Sequence, residues 1–307
     1  MIDFLLKRLV RAAITIWAVV TLVFVFLRCA GDPVLMLLPD NAPVEMVDAF
    51  RQEWGLDQPI YIQYFRYLGN IAVGDFGRSY HDGRSAFEVV LSALPKTLLL
   101  GSTALLFAIF LGIPAGILAA TQRGKIWDRL IVAISVLGYS LPSFFIGIVL
   151  VLIFSLTLRW LPSSGSASVA HLILPATTLG LWIAASVARL TRSSLLEAMS
   201  ESYMETARSK GVSYFRRVIV HALPNAANPI VTVLGLAAGH IVAGSIIVET
   251  VFAWPGLGRL TMTAVAAREL AIVQAVVMLV AAGMVLANLT VDILYGVFDP
   301  RLRETRR

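Results

Sequence analysis

A chain of 307 residues that is 58 % hydrophobic and 14 % charged, with mean hydropathy +0.81, reads as an integral membrane protein and not as a soluble domain. Its net charge of +6 reads as membrane orientation and not as nucleic-acid binding. Alternating ten-residue strands are not seen, which argues against an outer-membrane barrel, and a single cysteine, Cys29, excludes an internal disulfide.

Six apolar runs qualify, or nearly so, as helices of the ~20 residues needed to cross a bilayer. They are Ala12–Leu27, Thr97–Ala120, Leu130–Leu158, Leu172–Ala188, Ile230–Val248 and Ala271–Val291. The fold class is therefore all-α, with about six transmembrane helices. The first run follows Lys7, Arg8 and Arg11 like a signal peptide, but it lacks a small-x-small cleavage site and is read as a retained anchor. Cys29, at its end, is expected to pack.

With the N-terminus inside, 16 of the 25 Lys and Arg lie on cytoplasmic pieces, among them Arg123, Lys125, Arg189, Arg192, Arg216, Arg217 and the C-terminal cluster Arg301, Arg303, Arg306 and Arg307. Short basic loops stay inside, so both termini are expected in the cytoplasm. Gly31 to Pro95 is the one long outside segment, with nine acids and four bases. It divides the chain into residues 1–94, an anchor helix plus an extracytoplasmic cap, and 95–307, the transmembrane core. Within the cap, Tyr61, Tyr64, Phe65 and Tyr67 suit an amphipathic helix lying on the membrane surface.

Pro95 is placed to open the second span, because a proline at a helix start loses no hydrogen bond. Gly112, Pro114 and Gly116 lie within that span, and Gly138, Pro142 and Gly147 within the third. They suit close packing with a kink, or a hinge in a transport path. Near the fifth span, Glu249 precedes Phe252-Ala253-Trp254-Pro255-Gly256-Leu257-Gly258, an apolar turn that either dips into a cavity or is an interfacial loop anchored by Phe252 and Trp254.

The most informative piece is a polar stretch at about 192–228. Ser202 to Lys210 reads as a short amphipathic helix, with Ser200 or Ser202 able to cap it. Gly211 ends it in a left-handed turn. A second short helix, Tyr214 to His221, leads to Leu223-Pro224. Two rigid helices with a fixed corner can transmit a push into the membrane, whereas a solvated basic loop would need no such corner.

This stretch resembles the signature of inner-membrane permease subunits of binding-protein-dependent ABC importers: Glu205-Thr206-Ala207, three residues, Gly211, then Leu223-Pro224. Thr206 and His221 stand where many members have Ala and Ile, and this departure looks like the dipeptide/oligopeptide/nickel branch. Gly31-Asp32-Pro33, Gly55-Leu56-Asp57-Gln58-Pro59, Gly74-Asp75-Phe76-Gly77, Trp254 to Arg259, Asn288, Val291-Asp292 and Asp299-Pro300-Arg301 point the same way.

The resemblance implies a type I importer permease in the bacterial cytoplasmic membrane, forming half of a translocation path. It implies a second permease subunit, two cytoplasmic ATP-binding subunits and an extracytoplasmic substrate-binding protein as partners, beside membrane lipid. Glu205, Thr206, Ala207, Gly211, Leu223 and Pro224 would couple to the ATPase. Trp254, Pro255, Gly256, Leu257 and Gly258 would form a gate loop near the outer mouth that helps displace substrate from the binding protein. Peptides, glutathione-like molecules and nickel chelates are carried by relatives of this branch.

The residues agree that the energy source lies elsewhere. The one Gly-Lys pair, Gly124-Lys125, is followed by Ile126 and lacks the upstream glycine of a phosphate loop, so ATP and Mg would be used by the partners. The four histidines show no metal-ligand spacing, and hydrolase or metalloprotease motifs are not found. An ion-driven transporter would place ionisable residues in mid-membrane, and His240, Glu249 and Asp292 are the candidates for that rival.

Overall fold

The computed structural model describes residues 2–29, 43–53, 56–79, 81 and 83–298. Gly31-Asp32-Pro33, Gly55, Asp299-Pro300-Arg301, the C-terminal arginines and the side chains of His240, Val291 and Asp292 lie outside the described residues. Among the described residues, five helices are long and apolar enough to cross a membrane, or six if a bent pair counts as one span. The chain divides into two compact units, Met1–Leu94 with Leu260–Val285, and Pro95–Arg259 with Leu286–Arg307.

In the first unit, α1 (Ile2–Cys29) is the N-terminal span, followed by α2 (Val44–Glu53) and α3 (Ile60–Ala72). The aromatic helix α3 does not simply lie on a surface. Tyr64 and Tyr67 pack on Phe24 of α1 with ring centroids 5.2 and 5.3 Å apart, and the Tyr64 hydroxyl shares a 2.7 Å hydrogen bond with Thr21. Tyr61 and Phe65 point outward. Pro59 precedes α3, and Gln63 reaches back to the carbonyls of Leu56 and Gln58, fixing the turn that leads in. The Gly74-to-Gly77 motif is a second tight turn: the Gly77 N–H donates to Asp75, and Phe76 stacks on Phe87. Cys29 is exposed, so among the described residues of this chain it does not take the expected packing role.

Helix α4 (Ala86–Thr121) begins nine residues before Pro95, which is interior to it and does not open it. The second unit is built on that helix from Pro95 onward, with α5 (Ile126–Ser140), α6 (Ser143–Leu150, continued by a π turn Val151–Thr157) and α7 (Ala170–Met199). The third expected span is thus two helices bent by 105°. Leu141 and Pro142 at the break are extended, since a residue before proline is sterically kept from helical geometry.

Helices α4 and α7 meet through small residues. A Cβ on Gly112 would lie 2.8 Å from the Ala184 carbonyl oxygen, and one on Gly116 2.5 Å from that of Ala188. In return, Gly180 of α7 would meet the Ala104 oxygen at 2.9 Å. With lipid outside as apolar as the helix surfaces, such close backbone approach is what drives association. These glycines make the close packing that is one of the two readings of the second span. Gly116→Leu is expected to lower the melting temperature of the detergent-purified protein by many degrees, whereas Gly138→Ala, whose Cβ would sit 3.4 Å from Ala185, should be nearly silent.

The fifth span also differs from expectation. Helix α10 (Leu223–Gly244) breaks at Ser245 before a short α11 (Ile246–Val251), so the helix does not run through Val248. Toward its start it is continuous with the preceding segment, and Tyr214–Gly239 qualifies as a span. Helices α4, α7 and α10 bury Ala108, Ile183, Ala184, Val187, Ile230 and Ala237 in one cluster.

Candidate functional site

The polar stretch after α7 forms helix α8 (Ser202–Ser209). Its N-cap is Glu201, with no side-chain cap, and the Ser200 hydroxyl donates to the Glu197 carbonyl, so neither expected serine caps it. The other end is closed as the spacing predicts. Gly211 has φ +75°, its N–H donates to the Arg208 carbonyl at 2.9 Å, and the Val212 N–H donates to the Ala207 carbonyl at 3.1 Å. This pair of bonds is a Schellman closure, and it uses the carbonyl of the alanine in Glu-Thr-Ala. No atom lies within 4 Å of where a Gly211 Cβ would sit, so glycine is required there by backbone conformation alone.

Met204 holds this helix down. It is 4 % exposed and packs with Ala120, Leu195, Ala198, Val218, Ala222 and Ala226. Ala207, one turn on, is half-buried, while Glu205, Thr206 and Arg208 are exposed. Glu205 makes no ion pair among the described residues, so the helix presents an unpaired acid outward. Tyr203 also bonds Asn225, although burial and the nearby Glu201 carboxylate together push its pKa up. Sequence reasoning missed Met204 as the anchor; the signal was an apolar residue three before Ala207 and seven before Gly211, on one helical face.

Beyond Gly211, α9 (Tyr214–Arg216) passes into a π turn (Arg217–Ala222) and then into α10. The expected separate helix ending at Leu223-Pro224 is instead one continuous helical path. Pro224 sits in the first turn of α10, directly after the π turn. A π turn shifts the hydrogen-bond register and so accommodates a residue without an N–H. Leu223 packs against the Met204 cluster, and Pro224 is exposed.

Near the fifth span, the loop Trp254–Gly258 is organised by a carboxylate. Glu249 is fully buried. Its Oε1 accepts from the Thr97 and Ser245 hydroxyls, each at 2.7 Å, and its Oε2 from the Gly258 and Arg259 N–H groups at 2.7 and 3.1 Å. The Thr97 oxygen also accepts the Leu257 N–H at 2.7 Å. A Cβ on Gly256 would lie 2.5 Å from the Glu249 carboxyl carbon, and one on Gly258 2.8 Å from the Ile246 nitrogen. Both glycines are therefore spaces that Glu249 and the start of α11 occupy.

The loop is not an interfacial anchor. Phe252 is 1 % and Trp254 2 % exposed. Trp254 packs on Leu100 and Ala176 and donates its indole N–H to the Lys96 carbonyl at 3.0 Å, while Phe252 packs with Leu174 and Val248. Leu257 is buried too, and Pro255 is the exposed tip. Sequence reasoning named the loop but not its brace, Glu249 with Thr97.

A third polar feature joins α5 to α7. Asp128, 4 % exposed, takes two bonds from Arg192, one of them 2.9 Å from Nη2, and one from the Gly124 N–H at 2.8 Å. This part-buried fork fixes the turn between α4 and α5 against α7.

The Glu-Thr-Ala helix with its glycine corner lies in a stretch that matches a family described as binding-protein-dependent transport system inner membrane component, over residues 112–304; the N-terminal part of such components matches over residues 1–101. The chain belongs to this family. It is similar to the glutathione transport system permease protein GsiC of Escherichia coli (strain K12), 42 % identical over 304 residues and 99 % of each chain. The protein of the same name from Shigella flexneri serotype 5b (strain 8401) is also 42 % identical over 99 % of each chain. Among solved structures, a chain of the MetNI methionine ABC transporter, in inward facing conformations, aligns with TM-score 0.58 and 20 % identity, over 69 % of this chain and 96 % of that one. The fold is that of type I ABC importer permeases, and the protein is a multi-pass subunit of the bacterial inner membrane.

Proposed function

We propose that this permease forms half of the path of an ATP-driven importer for peptides, glutathione-like molecules included. It would pair with a second permease, two ATP-binding subunits that carry the ATP and Mg, and an extracytoplasmic binding protein, with both of its own termini in the cytoplasm. The observation that carries the coupling role is helix α8, pinned by Met204 on one face and offering Glu205, Thr206 and Arg208 on the other. An ATPase groove that grips this face moves a body continuous, through the Gly211 corner, with α10. Reversing an inward-to-outward equilibrium from 1:99 to 99:1 takes about 5.5 kcal/mol of differential interaction, within reach of one docked helix per subunit.

The substrate class follows from the 42 % identity over the whole chain to glutathione transport permeases. For the gate loop, burial of Trp254 and Leu257 favours a stiff wall with Pro255 at its tip over a finger that reaches into the binding protein. Residues 1–94 would supply the anchor helix and extracytoplasmic cap, and 95–307 the core that includes the coupling loop.

Mass spectrometry of the tagged protein, purified intact in mild detergent, tests the assembly. Co-purification of a second permease and ATP-binding subunits is the expected result. A stable, ATPase-free homo-oligomer would overturn it.

A further inference from the structure

Helices α5 and α7 run antiparallel: Asp128 pairs with Arg192 near one end, and Tyr139 meets Trp182 near the other. At this second contact the pair also carries a small exposed cluster that includes a cation. Tyr139 and Trp182 stack with centroids 5.9 Å apart and planes 15° apart, and the Arg189 guanidinium lies 5.1 Å over the Tyr139 ring. Tyr139 is 48 % and Trp182 39 % exposed, and Arg189 is exposed.

The depth of this cluster matters. Arg189 directly follows the apolar run 172–188, and helical side chains lean toward the N-terminus, so its guanidinium reaches back into that run. The ring it covers belongs to a residue about 16 Å along α5 from Asp128. By the charge rule Arg189 stands at the cytoplasmic edge of its span, and an exposed guanidinium leaning back into an apolar run calls for water, a headgroup or a ligand carboxylate beside it. Among the described residues Arg189 has no acidic partner; Asp128 of α5 is already taken by Arg192 and Gly124, and Glu197, the acid of α7, lies about two turns further on. A guanidinium laid on an aromatic face keeps its edge N–H groups free, and that edge matches a carboxylate with two parallel hydrogen bonds.

We propose that Arg189, stacked on Tyr139 beside Trp182, is a carboxylate-binding station in the translocation path, where it receives the carboxylate of a peptide-like substrate. The station rests on the peptide-import reading above. Tyr139 holds the cation flat, and Trp182 offers an apolar wall to the residue next to the carboxylate.

The test uses the complete importer in proteoliposomes, with its binding protein. Two probe pairs are compared: tri-alanine with tri-alanine amide, and glutathione with its glycyl amide. Binding-protein preference is common to all variants, so the change in the acid-to-amide uptake ratio isolates the permease. Arg189→Gln is expected to lower uptake of the acid form about tenfold or more and to leave the amide within about twofold, collapsing the ratio. Arg189→Lys should fall between, because it keeps charge but not the fork.

Equal loss of acid and amide, or no change, would overturn the station. So would failure of Arg189→Gln to co-purify with the second permease, which would make the arginine an intersubunit pairing group. If the wild type carries neither probe pair, the peptide reading falls and the station with it. Normal wild-type import with an unchanged ratio removes the station alone.

Discussion

Glu249→Ala is expected to be the most damaging single substitution in the second unit. It strips the acceptor from two hydroxyls and two backbone N–H groups that are packed away from water. Each buried donor left unpaired costs about 1–3 kcal/mol. The sum is not additive, but a loss of at least ~3 kcal/mol, with a cavity added, should leave little folded protein. Glu249→Gln is expected to be far milder. Its oxygen can face the Gly258 and Arg259 N–H groups, while the Thr97 and Ser245 hydroxyls turn to accept from its amide. Thermal melts of the purified proteins, together with uptake, check this order. An alanine variant as stable as the parent would show that Glu249 does not hold the Trp254–Gly258 loop.

Gly211→Val should act differently, sparing assembly and breaking the link between ATP hydrolysis and uptake. The position is open, so valine meets no clash, but a β-branched residue at φ +75° costs about 1–3 kcal/mol and drives the corner to another conformation. The Schellman closure on Ala207 then opens. In reconstituted importer, ATPase activity is expected to persist while transport per ATP falls about tenfold or more. Gly211→Asn, which accepts the left-handed region, should retain most of the coupling. Normal transport by the valine variant would refute the role of the corner.

Much of this was legible in the sequence because membrane spans and helix ends obey simple local rules. Apolar runs located most of the crossings, and Gly211 after Lys210 forecast the left-handed stop that the structure contains. The misses have a common cause, since each depends on residues far apart in the chain. Pro95 looked like a helix start because nothing local shows that the turn before it is already helical. For Trp254 the sequence left a buried and an interfacial reading open, because the pocket made by Leu100, Ala176 and the Lys96 carbonyl comes from distant helices. Glu249 stood out as an acid near an apolar run, yet its meaning came from Thr97, 152 positions earlier. The break at Ser245 and the π turn before Pro224 are adjustments of helical register, to which hydropathy is blind.

The interlock of α4 with α7 sets which movements remain open to this subunit. At Gly112, Gly116 and Gly180 carbonyl oxygens lie in the notches together with the side chains of Val187, Thr191 and Phe107, leaving no slack between the two backbones. Sliding by a turn, or rolling one rod over the other, would drive backbone into backbone. The degrees of freedom left to these two helices are those of a single solid piece, swinging as a unit. Any motion of this subunit is then expected to carry α4 and α7 together, so that substitutions in their notches should cost stability before they change transport rate.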